Sequence, residues 1–187
     1  MTAPITPALV TGFWRDAGRR AWFRRDPAFD EAIRDRFESA HLEASRSGFE
    51  DWRDTAEGAL ALVLLLDQFP RNLYRGSAHA FATDPLARDV ADAAIGAGFD
   101  LVTEPQLQPF LYLPFEHHED PASQDRALEL LRRHAEQTGD ADYLRYARLH
   151  ADLIARFGRF PHRNDVLGRV STAEELDYLK TAERFGQ

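Results

Sequence analysis

Apolar residues return every three or four positions along most of the chain. Phe29, Ile33, Phe37 and Ala40 share one helical face, as do Leu86, Val90, Ala93 and Ala97. Leu128, Leu131 and Ala135 repeat the spacing, followed by Tyr143, Ala147, Ile154 and Phe157. From Leu60 to Leu66 the chain is apolar on every side, which predicts a helix at the centre of the fold. No segment alternates with period two, and no Asn-Gly or Asp-Gly turn suggests a hairpin. The pattern predicts an all-α protein with eight helices, at 7–18, 27–46, 51–68, 84–97, 106–117, 121–138, 141–157 and 172–184. Their short connections favour antiparallel helical hairpins within one domain, 1–187.

Polar residues mark the ends. Asp26-Pro27, Asp84-Pro85 and Asp120-Pro121 each place a capping acid before a proline suited to the first helical position, and Thr6-Pro7 is similar. Ser171 and Glu174 have the spacing of a capping box. Gly98, Gly139 and Gly158 stand where a left-handed residue ends a helix.

One string occurs twice at such breaks. Asp67-Gln68-Phe69-Pro70-Arg71-Asn72 follows Leu60–Leu66, and Arg159-Phe160-Pro161-His162-Arg163-Asn164 follows Ala151–Phe157. Proline lacks the donor a helix needs and clashes with the preceding turn, so both strings are expected to end helices and form corners. Asp67 continues the apolar face of Leu60 and Val63 into a helix C-terminus, where the dipole disfavours a carboxylate. Arginine is its expected counter-charge, from Arg71, Arg159 or Arg163.

Composition narrows the chemistry. The chain has no cysteine, which removes disulfides and thiolate sites and fits a cytoplasmic protein. A net charge of -8 argues against nucleic acid as a partner, and the apolar runs are too short for a membrane span. Lys180 is the one lysine; every other basic side chain is arginine. Gly-x-Ser-x-Gly and Walker patterns are absent. In Glu116-His117-His118-Glu119-Asp120 the adjacent histidines point apart, so no metal site or cofactor is expected from that stretch. His150 lies on the apolar face of its helix, as a core histidine or as one half of an acid–imidazole site with His117 and Glu119.

Leu64–Asn72, Ala80–Asp84, Tyr112–Phe115, Arg156–Asn164 and Leu167–Glu175 together resemble a bacterial family catalogued as domain of unknown function 924. The resemblance implies a tetratricopeptide-like fold, antiparallel helical hairpins in a right-handed superhelix, and assigns no activity. The family pattern after Tyr-Leu-Pro-Phe reads Met, His, Ser, Glu, so His117 and Glu119 match while Glu116 and His118 depart. A shared site would therefore fall on Asp67, Gln68, Arg71, Asn72, His117, Glu119, His150, Arg156, Arg159, His162, Arg163 and Asn164.

The leading expectation is a groove lined by the two corners that binds a small anionic molecule or a peptide. The alternative is a hydrolase or proton-transfer enzyme with His117 or His150 as base, Glu119 or Asp67 orienting it, and arginine stabilising charge. A third reading makes the corners structural. Oligomeric state is left open.

Overall fold

The computed structural model describes residues 4–181, and every regular element among them is helical. Contacts divide the described residues into two compact units, one up to Leu111 and the other from Tyr112 onward. No helix among the described residues is long and apolar enough to cross a membrane.

In the first unit α1 (Pro7–Trp22) and α2 (Pro27–Ala44) begin as expected, with Thr6 and Asp26 accepting hydrogen bonds from the first turn. Gly18, at φ +73°, breaks α1 and turns its last residues back. The Trp22 indole then donates to the Trp14 carbonyl at 2.6 Å, and the two rings stack at 5.9 Å. Helix α3 (Ala56–Val63) starts later than the pattern predicts, because Glu50–Asp54 form a separate 3-10 turn. Gly58 lets that turn close onto the helix: a Cβ there would lie 2.1 Å from the Trp52 carbonyl oxygen. Leu60 to Leu66 are all buried, as expected of the central helix.

Pro70 does not end this helix. The chain widens into a π turn over Leu64–Gln68 and continues as α4 (Phe69–Leu73). The Phe69 amide donates to Leu64 O, five residues back, so Leu65 O is passed over. Pro70 has no N–H to offer Leu66 O. Both carbonyls are satisfied from outside: His41 Nδ1 donates to Leu65 O at 2.8 Å, and the Thr83 hydroxyl donates to Leu66 O. The expectation of a corner at the first string is corrected by these two donors, which let a proline stay inside a buried helix.

Helix α5 (Asp84–Gly96) shows a second departure. Its buried face is Asp84, Ala87, Val90, Ala91 and Ala94, while Ala93 and Ala97 are exposed. Asp84 is the first helical residue rather than the cap, and its carboxylate turns inward to Arg71. That inward pull orients the helix one residue away from the predicted face. Past α5 the unit ends in two 3-10 turns, Phe99–Val102 and Gln108–Leu111.

In the second unit the predicted helix 106–117 is reduced to a single turn, α6 (Leu113–Glu116). Helices α7 (Pro121–Thr138) and α8 (Asp142–Phe157) form a hairpin across Gly139, with Gln124, Ala127, Leu131 and His134 on the buried face of α7. Gly158 ends α8, and the second string follows in extended and 3-10 backbone, Pro161–Arg163. The last element described is α9 (Ala173–Leu179), and the predicted 182–184 lie outside the described residues. Its capping box uses Thr172 and Glu175, one residue beyond the expected Ser171 and Glu174. Both expected residues are held elsewhere: the Ser171 hydroxyl accepts from Asn164 Nδ2, and Glu174 pairs with Arg156.

Thr83→Val removes the donor to Leu66 O at constant shape and is expected to cost about 1–3 kcal/mol in urea denaturation. Pro70→Ala in the same background returns an amide donor and should recover part of that loss.

Candidate functional site

The π turn points Asp67 and Gln68 into the first unit, where both are buried. Gln68 Nε2 donates to Asp67 Oδ2 at 2.5 Å. One helical turn on, Arg71 Nη1 reaches Asp67 O at 2.5 Å and Asp67 Oδ1 at 3.2 Å. The same guanidinium grips Asp84 with two parallel bonds, Nη1 to Oδ1 at 2.9 Å and Nη2 to Oδ2 at 3.0 Å. Asn72 turns the other way and donates to Asp30 at 2.7 Å, sharing that carboxylate with Arg75. Asp67, Gln68 and Arg71 are thus brought together around the Asp67 and Asp84 carboxylates, with Arg71 half-buried, while Asn72 joins a separate group at Asp30.

The second corner is held by Glu119. Its Oε1 accepts the Phe160 amide at 2.7 Å, and Arg169 binds both carboxylate oxygens at 2.6 and 2.9 Å while also donating to Phe160 O. Burial alone would raise the Glu119 pKa; the Arg169 and Phe160 hydrogen bonds outweigh it and hold the carboxyl below its usual range. Arg163, itself buried, donates to His117 O at 3.0 Å and lies over the Phe160 ring, 4.5 Å from its centroid. Arg159 binds both oxygens of Glu175 at 2.6 and 2.8 Å, which brings the Glu175 pKa down to about 2. Asn164 and Arg156 face the same C-terminal segment, on Ser171 and Glu174.

Imidazoles surround Phe160. His150 packs edge-on at 5.3 Å, His162 lies at 5.5 Å, and the His117 ring is 6.4 Å from His150. His150 Nδ1 is 2.9 Å from Tyr146 O and 3.1 Å from Glu116 Oε1. A carbonyl only accepts, so Nδ1 carries the proton and Nε2 is the acceptor of the ring. Desolvation drives the His150 pKa down to about 3, with His117, His162 and Arg163 adding repulsion, against the Tyr146 bond that raises it. With the ring neutral, the Glu116 contact is not an ion pair. Burial and Arg163 likewise lower His162 to about 4. Among the described residues no group of three His, Asp or Glu is arranged to hold a metal ion.

The corners fall in different units, Asp67–Asn72 in the first and His117, Glu119, His150 and Arg156–Asn164 in the second. Residues 10–183 match the family described as "Bacterial protein of unknown function (DUF924)". The chain belongs to the DUF924 family. A solved structure of a protein of unknown function from Agrobacterium tumefaciens is 49% identical, with a TM-score of 0.88, and the match covers 94% of this chain and 97% of that one. Nothing among curated proteins matches.

In this DUF924 chain four residues at the corners have roles that the sequence reading did not assign. Asp84 was expected only as a cap, yet its carboxylate holds Arg71, while its neighbour Thr83 donates to Leu66 O. Glu116 is the buried partner of His150. Gln124 gathers Glu116 O and His118 O at 2.8 and 2.6 Å as α6 ends. A polar residue in line with Ala127 and Leu131 was its only signal. Arg169 fastens Glu119, fifty positions away in sequence.

Arg71→Met leaves Asp67 and Asp84 buried without their shared cation and is expected to cost about 3–5 kcal/mol in denaturant titration. Stability should also fall on acidification. The folded pKa of His41, His150 and His162 is lowered from 6.5, so below that pH the unfolded chain takes up protons the fold refuses. Each contributes a slope of at most about 1.4 kcal/mol per pH unit, for His162 down to about 4 and for His150 down to about 3. Glu119 and Glu175, held low, add to the loss below about 4.5. Urea melts between pH 7 and 5 check this, and a flat profile would contradict it.

Proposed function

We propose that this DUF924 protein binds a small organic acid at the imidazole cluster of its second unit, and that the first corner is a structural clamp. The observation that carries the reading is the pair of histidines kept neutral beside a buried guanidinium. A neutral imidazole accepts a hydrogen bond through its unprotonated nitrogen, while Arg163 and Arg169 make the surroundings favourable to an anion. A hydroxy acid or an acidic amide offers both a donor and a negative charge. The clamp reading is supported by Arg71, whose guanidinium is bound to Asp67 and Asp84.

The pKa of His150 also bears on catalysis. A base near 3 is too weak to remove protons efficiently at neutral pH, which favours hydrogen-bond acceptance over general-base work for that ring. The enzymatic alternative then passes to His117, which is half-buried and near the His150 ring.

Thermal melting with a library of hydroxy acids and acidic amides tests the reading. A ligand at a hundred times its Kd adds about 2.7 kcal/mol, and so raises the melting temperature by roughly 5–10 °C. The shift should disappear in a folded His162→Gln variant and survive in any Arg71 variant that still folds. A library that moves nothing, or a shift that His162→Gln retains in full, would refute the site. Turnover of the ligand that His117→Ala abolishes would make the protein an enzyme.

A further inference from the structure

Most of the charge around Phe160 is fixed before any ligand arrives. Guanidinium keeps its proton, so Arg163 and Arg169 stay cationic, and Glu119 is held ionised with both oxygens on Arg169. From α6, Glu116 faces His150 with Oε1 3.1 Å from Nδ1. From α7 the buried His134 turns to Tyr143, 6.1 Å between rings and about two turns before His150 on α8. On the C-terminal side Arg159 takes Glu175 and Arg156 takes Glu174. Imidazole is the side chain in this cluster that passes from neutral to cationic near neutral pH, and three of them, His117, His150 and His162, stand together around one ring.

A carboxylate entering the cluster changes this balance. Its attraction for a proton opposes the burial and the Arg163 repulsion that keep His150 and His162 neutral. The two rings are not equally ready to answer. His150 is 7% exposed, has its Nδ1 proton on Tyr146 O, and is repelled by His117, His162 and Arg163 when charged. His162 is half-buried, lies in the corner itself, and has the Glu119 carboxylate attracting its protonated form. Burial and Arg163 lower it to about 4, against about 3 for His150.

We propose, resting on the acid-binding reading above, that each acid enters this cluster together with one proton, which His162 takes while His150 stays neutral. The rings then divide the work. Imidazolium at His162 donates to the carboxylate beside Arg163, and Nε2 of His150 accepts from the ligand's hydroxyl or amide N–H. The proton comes from solvent, and no bond of the ligand is broken. Binding linked in this way strengthens as pH falls, because the protonated ring exists mainly in the complex. The site loads on the acid side of neutrality and unloads on the alkaline side, although its ligand is ionised throughout.

Glycolate, a hydroxy acid ionised at every pH of the experiment, is the probe, and the full chain is used. Calorimetric titration at about pH 6 in buffers of different ionisation enthalpy counts the protons taken up, and about one per glycolate bound is expected. Affinity should fall by up to about tenfold for each pH unit between about 6 and 8. In nitrogen-15 spectra one imidazole should move from its neutral to its imidazolium position as glycolate is added. His117→Gln, His150→Gln and His162→Gln assign the rings, and the ring that moves should be the one missing from His162→Gln. Glycolate bound without proton uptake and with constant affinity across that range, or a proton that lands on His117 or His150, overturns the proposal and leaves the acid site standing. Rings that glycolate leaves unmoved up to about 0.1 M remove the acid site itself, and the proposal with it.

Discussion

A proline inside a buried helix sets the terms for the first unit. Without an N–H at Pro70 and with the π turn passing over Leu65, two main-chain acceptors stand bare in the core, and each must find a donor or cost the fold several tenths to a few kcal/mol. His41 comes from α2 and Thr83 from the entry to α5, so the same defect fastens two flanking helices to the central one. The wider turn also carries Asp67 inward. A carboxylate there requires a cation, Arg71 supplies it from the next turn, and Arg71 in turn requires Asp84, which stands beside Thr83. The polar groups of this region form a sequence of needs, each met by the next.

The second unit meets a similar string with a different solution. Gly158 has already ended α8 before Phe160-Pro161 arrives, so no helical carbonyl is robbed of its donor there. The corner is instead fixed through its main chain, Glu119 on the Phe160 amide, Arg169 on the Phe160 carbonyl and Arg163 on His117 O. This leaves the rings around Phe160 to pack among themselves, and burial beside Arg163 denies protons to His150 and His162. Like strings of residues therefore reach opposite backbone outcomes, decided by the residue that precedes them.

Much of the helical plan was legible because capping is local. Thr6, Asp26 and Asp120 accept from the amides that the sequence assigned to them, and Gly139 and Gly158 close α7 and α8. What escaped was set by distant partners. Asp84 reads as a cap until Arg71 claims it, and Ser171 reads as a cap until Asn164 claims it. Proline rules describe a helix in isolation and say nothing of Thr83. At the candidate site the residue types were foreseen, with His150 on an apolar face and Asp67 needing arginine. The pairing of Glu116 with His150 depends on how α6 meets α8, and no spacing along the chain encodes that.

The near-absence of lysine has a consequence for how the protein can be altered. Lys180 is the one side-chain amine in the sequence, and it sits on the exposed end of α9. Acylating agents and amine-reactive cross-linkers thus find no side chain to modify at either corner. Guanidinium keeps its proton to about pH 12 and above, so the positive half of the clamps is permanent in alkali. Within the clamps only the carboxylates can lose their charge, so these ion pairs are undone from the acid side.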